Sequence, residues 1–562
     1  MKPSIKNNSH TATYISYPHC WDKTGVQKNI RMHLVYLFIL ILIGSSILSC
    51  NKILNKEPIS FASPEANYAT GAQLLQALAG VYDVLGRQRE QLYANKLFNQ
   101  LGACTDEGFY ARNNQVVGPM VYNFDFTDAD IDQTWQTLYI GIERANNLIY
   151  YINTPKSMNP AERNAILGEA KFLRGYYYFL LVSSFGDVLL KLNPTTITGA
   201  ASENVPRSPA KEVYAQVLKD MTEAEAICYP ATTFNHSSRV SQTTVQGILA
   251  RVCLTMAGYP LLDKAKYKDA LQWATKVKQS GIHALNPSYS QIFINQAQDI
   301  YDIKEAMWEA DFIGNDQSTT QEQGRVGNTN GIQYTAANFA DTGYSYAFIN
   351  VTRKLYELYN QGDLRRDWAI APYGYSGTNR VNKGSLIYDR NCGKWRRSYE
   401  KLTPKSKNNT GINFPILRYA DVLLMLAEAD NQLNNGPTAN AYAAFNEVRR
   451  RAYGFPVNIP NAVSDLRAGL SANDFQQEII DERSRELCFE ALRRQDLIRW
   501  GIWTQTMSAL ANQMNTHLAG NASWKYASLG ATNAASSPKF LLYPIPASEF
   551  SVNKAATQNP GY

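Results

Sequence analysis

Apolar residues recur on a 3.6-residue period through most of the chain. The stretch Phe414 to Asn431 shows the pattern most clearly. Val422, Met425, Leu426, Ala429 and Leu433 fall at i, i+3, i+4, i+7 and i+11, one buried stripe of a helix. Phe414, Pro415 and Ile416 read as an extended approach to it. Ala420, Ala427 and Ala429 are small enough for a second helix to come close. Asn434, Asn435, Gly436 and Pro437 stop the helix, because Gly436 can take a left-handed turn and Pro437 cannot continue it. A second helix is predicted from Thr438 to Arg451, with Tyr442, Phe445 and Val448 inward. The pair is a helical hairpin of about tetratricopeptide size.

The same unit recurs. Leu74, Leu75, Leu78, Val81, Tyr82 and Leu85 form a first stripe, and Thr127, with Asp130 three residues on, is the expected cap of the next helix. Asn159, Pro160 and Glu162 open a helix that runs through the aromatic run Tyr176 to Phe179, which reads as core. Ser208 and Pro209 open a helix over 211–226, and stretches 244–256 and 267–280 form another hairpin. Ser471 with Asp474 opens a helix read as continuing to Trp500, its alternating charges forming i,i+4 pairs. The fold class expected is therefore mainly α, a tetratricopeptide-like helical-repeat scaffold.

Two segments break the pattern. After a short predicted strand at 305–310, residues 311–350 are rich in Gly, Asn, Thr, Gln and Tyr with little periodicity. A helix is expected from Leu355 to Asp363, and a polar, aromatic segment follows over 371–413. Long irregular loops on a helical scaffold are where binding surfaces sit.

The chain has 562 residues, 45% of them hydrophobic and 18% charged, enough to bury a large core. Of the net charge of +7, residues 1–49 carry +4, since five Lys and Arg face one Asp there. The +3 left over gives no reason to expect nucleic acid as a partner. The apolar block Leu34 to Ser49, preceded by Lys28 and Arg31, is too short to span a bilayer comfortably and reads as a secretory signal. The expected layout is an unassigned extension over 1–31, a signal peptide over 32–49 and a lipidated tether over 50–67. Helical parts over 68–310 and 311–562 follow.

Catalytic signatures are missing. The seven Cys form no CxxC pair, and His236, His283 and His517 stand apart, so neither a zinc site nor a triad is legible. Gly374-Tyr375-Ser376-Gly377 is not a nucleophile elbow, and there is no phosphate-binding or dinucleotide fingerprint. Asp125, Asp128, Asp130 and Asp132 lack the glycine and glutamate of a calcium loop and fit a helix start. No enzyme activity, cofactor or metal is expected.

Several long motifs carry a family resemblance. Arg418-Tyr419-Ala420-Asp421, then Ala427-Glu428-Ala429 and Arg449-x-Arg451, resemble the signature of the SusD/RagB family. So do Gly168-Glu169-Ala170 with Phe172-Leu173-Arg174, and Trp135, Tyr139, Ile142 and Asn146 at helical spacing. Glu482-Arg483 through Phe489-Glu490, Arg493, Asp496 and Arg499-Trp500 match closely, with Ala491 where the family has Gly. Tyr543-Pro544-Ile545-Pro546 and the terminal Gln558-Asn559-Pro560-Gly561-Tyr562 complete it.

The resemblance implies a surface lipoprotein that captures a glycan ligand for a TonB-dependent (SusC-like) transporter. It would be held to the outer membrane by a lipid anchor, and Ile47-Leu48-Ser49-Cys50 resembles a lipobox with Cys50 as the lipidated residue. A peptide-binding version of the scaffold, or an adaptor that binds only protein, is the alternative. Sugar capture needs ring faces for apolar sugar faces and polar groups for hydroxyls. Asp106, Phe109, Tyr110 and Arg112 supply one such group, and Tyr334, Tyr344, Tyr346 and Trp395 another.

Overall fold

Several helix starts follow their capping side chains. The computed structural model describes residues 64–86, 91–112, 114–195, 204–314 and 323–562. The residues read as a leader, the extension before them and Cys50, read as the lipidated residue, lie outside the described residues. Helices of fourteen residues or more are labelled α1 (Gly71–Gly86), α2 (Ala129–Tyr151), α3 (Pro160–Phe185), α4 (Ala210–Glu225) and α5 (Gln242–Ala257). After them come α6 (Lys266–Gln279), α7 (Tyr419–Leu433), α8 (Ala439–Ala452), α9 (Ala472–Leu487) and α10 (Trp503–His517). Asn159 caps α3 and Ser471 caps α9 through side-chain oxygens that accept from the first-turn amides, as expected, and Thr438, read as the first residue of its helix, caps α8 in the same way.

Two caps differ. Asp128, not Thr127, caps α2, accepting from the amides of Asp130 and Ile131, while Thr127 is turned back onto Asp125. At α4, Ser208 is occupied in a backbone bridge with Val188, and Asp187 caps the helix from a distant loop by accepting from Ala210.

Successive helices pack on one another, α2 on α3, α3 on α4, α4 on α5, and α5 on α6, and α7 lies against α6, α8 and α9. This is the predicted repeat scaffold. Close approach is bought with glycine: a Cβ at Gly141 would lie 2.6 Å from the Tyr177 ring, and one at Gly247 would lie 2.6 Å from Leu417. The run Tyr176 to Phe179 is buried, as a core reading requires.

Helix α7 departs from the one-stripe reading. Tyr419 to Asn431 is buried on every side, and Leu433, assigned to the stripe, is exposed. The polar residues Asp421 and Glu428 are inside because each meets a guanidinium: Arg483 and Arg251 lie 2.6 Å from Asp421, and Arg499 lies 2.8 Å from Glu428. The predicted helix from Ser471 to Trp500 is two helices. Phe489 and Ala491 take positive φ of 66° and 62° and separate α9 from a short helix over Arg493–Arg499. The charges of α9 are not surface i,i+4 pairs. Glu482, Arg483 and Glu486 are buried and pair across the core, Arg365 lying 2.6 Å from Glu482 and Arg451 2.6 Å from Glu486. The helix expected from Leu355 to Asp363 is shorter, Arg353–Leu358.

The described strands form three two-stranded antiparallel sheets. These are β1 (Gly108–Tyr110) with β3 (Ile349–Val351), β2 (Ala306–Ala310) with β6 (Phe414–Arg418), and β4 (Tyr373–Ser376) with β5 (Asn379–Asn382). The strand expected at 305–310 and the extended approach at 414–416 are partners. Residues Glu65 to Tyr562 form one unit, and the first two sheets tie its earlier part to its later part.

Candidate functional site

The β1–β3 pairing brings the two irregular regions together. Tyr110 faces Ile349 across the sheet, and the Ala111 amide donates to the Phe348 carbonyl at 2.7 Å. Upstream of β3, residues 344–348 alternate. Ser345 and Ala347 are buried, and Tyr344, Tyr346 and Phe348 stay half-exposed. A two-residue period puts alternate side chains on one face of an extended segment.

Buried Asn328 holds the segment in place. Its carbonyl accepts from the amides of Tyr346 and Ala347 and from Ser345 Oγ. Its side-chain amide donates to the carbonyls of Tyr344 at 2.9 Å and Lys407 at 3.0 Å. Three loops therefore share one anchor.

The result is a rail of rings in the order Tyr110, Phe348, Tyr346, Tyr344, Phe339. Successive centroids are 5.5, 5.5, 4.9 and 5.8 Å apart. Interplanar angles run from 34° to 83°, so faces and edges alternate along it. Exposed Arg112 lies near one end, its guanidinium carbon 4.4 Å from the Phe348 centroid. Lys407 lies 5.0 Å from the Tyr344 centroid near the other. The Tyr346 hydroxyl donates to Asn408 Oδ1 at 3.0 Å.

A second platform adjoins the first. Tyr334 pairs by backbone with Ser345, and its ring meets Tyr375 edge-on at 4.9 Å. Tyr375 meets Tyr373 at 5.8 Å. The Arg396 guanidinium lies 3.8 Å over Trp368, and Arg380 lies 4.7 Å over Tyr373. Exposed Tyr399 meets Trp368 at 5.9 Å.

Of the residues named from sequence, Tyr110, Arg112, Tyr344 and Tyr346 are brought together on the rail. Four are not on the surface, and their assignment to a ligand is corrected. Trp395 is fully buried, donating from Nε1 to Gln296 at 2.9 Å and stacked on Phe414. Asp106 is buried and clamped by Arg493 at 2.7 Å and Lys354 at 2.6 Å. Burial opposes its ionisation, but those two cations outweigh it and hold the carboxyl far below the usual range. Phe109 packs edge-on against Trp524, and Tyr334 is buried with its hydroxyl on the Asn338 carbonyl. Sequence reading missed Phe348, Phe339, Lys407 and Trp368. The signal for Phe348 was present, since it continues the alternation of Tyr344 and Tyr346.

Trp368, Tyr373 and Tyr375 of the second platform are half-exposed, like the rings of the rail. A cavity of about 320 Å³ lies elsewhere, between α1 and β2, lined by Tyr82, Arg239 and Glu309 among others. Among the described residues no cluster of His, Cys, Asp and Glu is arranged to hold a metal ion.

A family model described as the SusD family matches residues 370–562, and one described as starch-binding associating with outer membrane matches residues 56–254. The chain belongs to the SusD/RagB family. A solved SusD homolog from Bacteroides thetaiotaomicron is 28% identical, covering 89% of this chain and 98% of its own at a TM-score of 0.79. SusD-like protein P2 of Formosa agariphila is 26% identical over 463 residues, 79% of this chain and 87% of that protein. The starch-binding protein SusD of Bacteroides thetaiotaomicron is 24% identical over 509 residues, 82% of this chain and 84% of that protein. In this SusD-family chain the motif acids and arginines, Asp421, Glu428, Glu482, Arg483 and Glu486, are scaffold ion pairs. The rings of the rail lie outside those motifs.

Proposed function

We propose that this protein captures an oligosaccharide or polysaccharide at the cell surface for import through a TonB-dependent outer-membrane transporter. It would be anchored by lipid at Cys50 and would carry out no chemistry itself. The observation that carries the reading is the rail from Tyr110 to Phe339, half-exposed rings held by a buried anchor and bordered by polar side chains. Ring faces cover the apolar faces of sugars while Asn and Arg groups meet hydroxyls. An open rail suits a polymer, which is gripped along its length rather than enclosed. The family descriptions and the starch-binding relative support the same class of ligand and the outer-membrane setting. Individual contacts would be weak, roughly millimolar to micromolar, or about −4 to −8 kcal/mol. Several sites on one polymer would compensate by effective concentration.

The test is a binding screen of residues 51–562 against polysaccharides and peptide mixtures, with Tyr346→Ala beside the parent. Retention on a glycan that Tyr346→Ala loses while still folded supports capture at the rail. Binding to peptides alone would replace the ligand class. Release of reducing sugar on incubation would contradict the non-enzymatic role.

A further inference from the structure

Resting on the reading of these platforms as a glycan surface, we propose that the preferred sugar is anionic, carrying carboxylates or sulfate esters. The argument comes from how the cations are held. Arg112, Lys407, Arg380 and Arg396 stand against Phe348, Tyr344, Tyr373 and Trp368, at 4.4, 5.0, 4.7 and 3.8 Å from the ring centroids. None of the four forms an ion pair among the described residues.

The core treats cations differently. Arg418, Arg451, Arg365 and Arg483 each meet two carboxylates or more. A buried charge there is neutralised by its neighbours, as its desolvation requires. On the platforms the guanidiniums are held by rings, carbonyls and a hydroxyl. Arg396 donates to the carbonyls of Gly393, Asp367 and Trp368, and Arg380 donates to the Tyr375 hydroxyl. Burial lowers the Arg396 pKa, since no acid offsets the loss of hydration.

The rings and carbonyls orient these four cations without spending their charge. Three planar guanidiniums and an ammonium set against an aromatic surface form a receptor for carboxylate or sulfate. The rings take the sugar faces, and the cations take the anionic substituents. Buried Tyr334 links the two platforms, by its backbone bridge to Ser345 and its ring contact with Tyr375.

Matched polymers test this, using the full chain in detergent. Polygalacturonate is compared with its methyl ester, and dextran sulfate with dextran, at low and moderate salt. The expected result is at least tenfold tighter binding of one charged polymer than of its neutral partner. Which pair shows it tells carboxylate from sulfate. The preference should fall several-fold in Arg112→Gln and again in Arg112→Gln with Arg380→Gln. Tyr346→Ala should weaken both members of the pair. Lys219→Gln with Lys268→Gln, away from the platforms, should change nothing; if this control loses the preference equally, the attraction is diffuse charge and the proposal fails. Equal binding of charged and neutral polymers, still lost in Tyr346→Ala, overturns the anionic preference and leaves glycan capture standing. No binding to any polymer, with peptides bound, overturns both.

Discussion

Arg418 and Glu490 form a bidentate ion pair, with Nε 2.9 Å from Oε2 and Nη2 2.8 Å from Oε1. Both side chains are buried, and the same guanidinium reaches Glu305 at 2.8 Å and Glu486 at 2.9 Å. The end of β6 is thereby locked to α9 and the turn behind it. Removing one partner strands charge that the core cannot solvate. Arg418→Ala is expected to cost roughly 3–5 kcal/mol, read as a lowered urea midpoint. Lys266→Ala, which breaks the half-exposed pair with Asp269, should cost no more than about 1 kcal/mol.

Two aromatic substitutions separate scaffold from surface. Trp395→Ala should cost roughly 3–5 kcal/mol, because it empties a packed site beside Phe293 and Phe414 and leaves Gln296 without its donor. Tyr346→Ala should leave thermal unfolding nearly unchanged while weakening glycan binding. Calorimetry and a binding assay on both variants check the contrast.

Stability should have a pH window. Burial first, then Asp311, pushes Glu309 up to about 7, where its oxygens accept from Gln296 and Ser237 at 2.8 Å. A carboxyl whose folded pKa is raised binds its proton more tightly in the native state, so its contribution is full below about pH 4.3 and is lost as pH rises through 7. Glu309→Gln should therefore flatten the decline in urea stability between pH 5 and 8. Asp421 and Glu482 act oppositely. Burial would raise them, but Arg483 and Arg251 for the one, and Arg365 and Arg485 for the other, hold each at about 2. Their stabilisation is present above about pH 4 and is lost as pH falls through 2, so acid unfolding should steepen there.

Cys104, Cys228, Cys253, Cys392 and Cys488 are free and buried. Burial pushes the Cys104, Cys253 and Cys488 thiols up to about 12. All five should resist a thiol reagent at pH 8 in the native protein and react once it is unfolded in denaturant.

Ala491 adopts φ 62°, a conformation that costs a residue with a Cβ. Ala491→Gly should raise stability by up to about 1 kcal/mol, less whatever entropy glycine adds to the unfolded chain.

Local chemistry made much of the scaffold readable in advance. The period of Val422, Met425, Leu426 and Ala429, the caps Asn159 and Ser471, and the stop at Asn435 and Gly436 are short-range effects, complete within a turn of helix. The aromatic run after Arg174 declared itself as core because consecutive rings on a helix face several neighbours at once. Tertiary structure decided which rings face solvent. Trp395 and Tyr110 look alike as loop aromatics, yet one stacks on Phe414 inside and the other joins Phe348 outside, because the β1–β3 register and the Asn328 anchor join loops more than two hundred residues apart. It also decided that the charges of α9 and α7 lie inside, since only distant partners such as Arg418, Arg365 and Arg251 could neutralise them there. Periodicity and caps are written in neighbouring residues, whereas burial of a charge and exposure of a ring depend on what the rest of the chain brings against them.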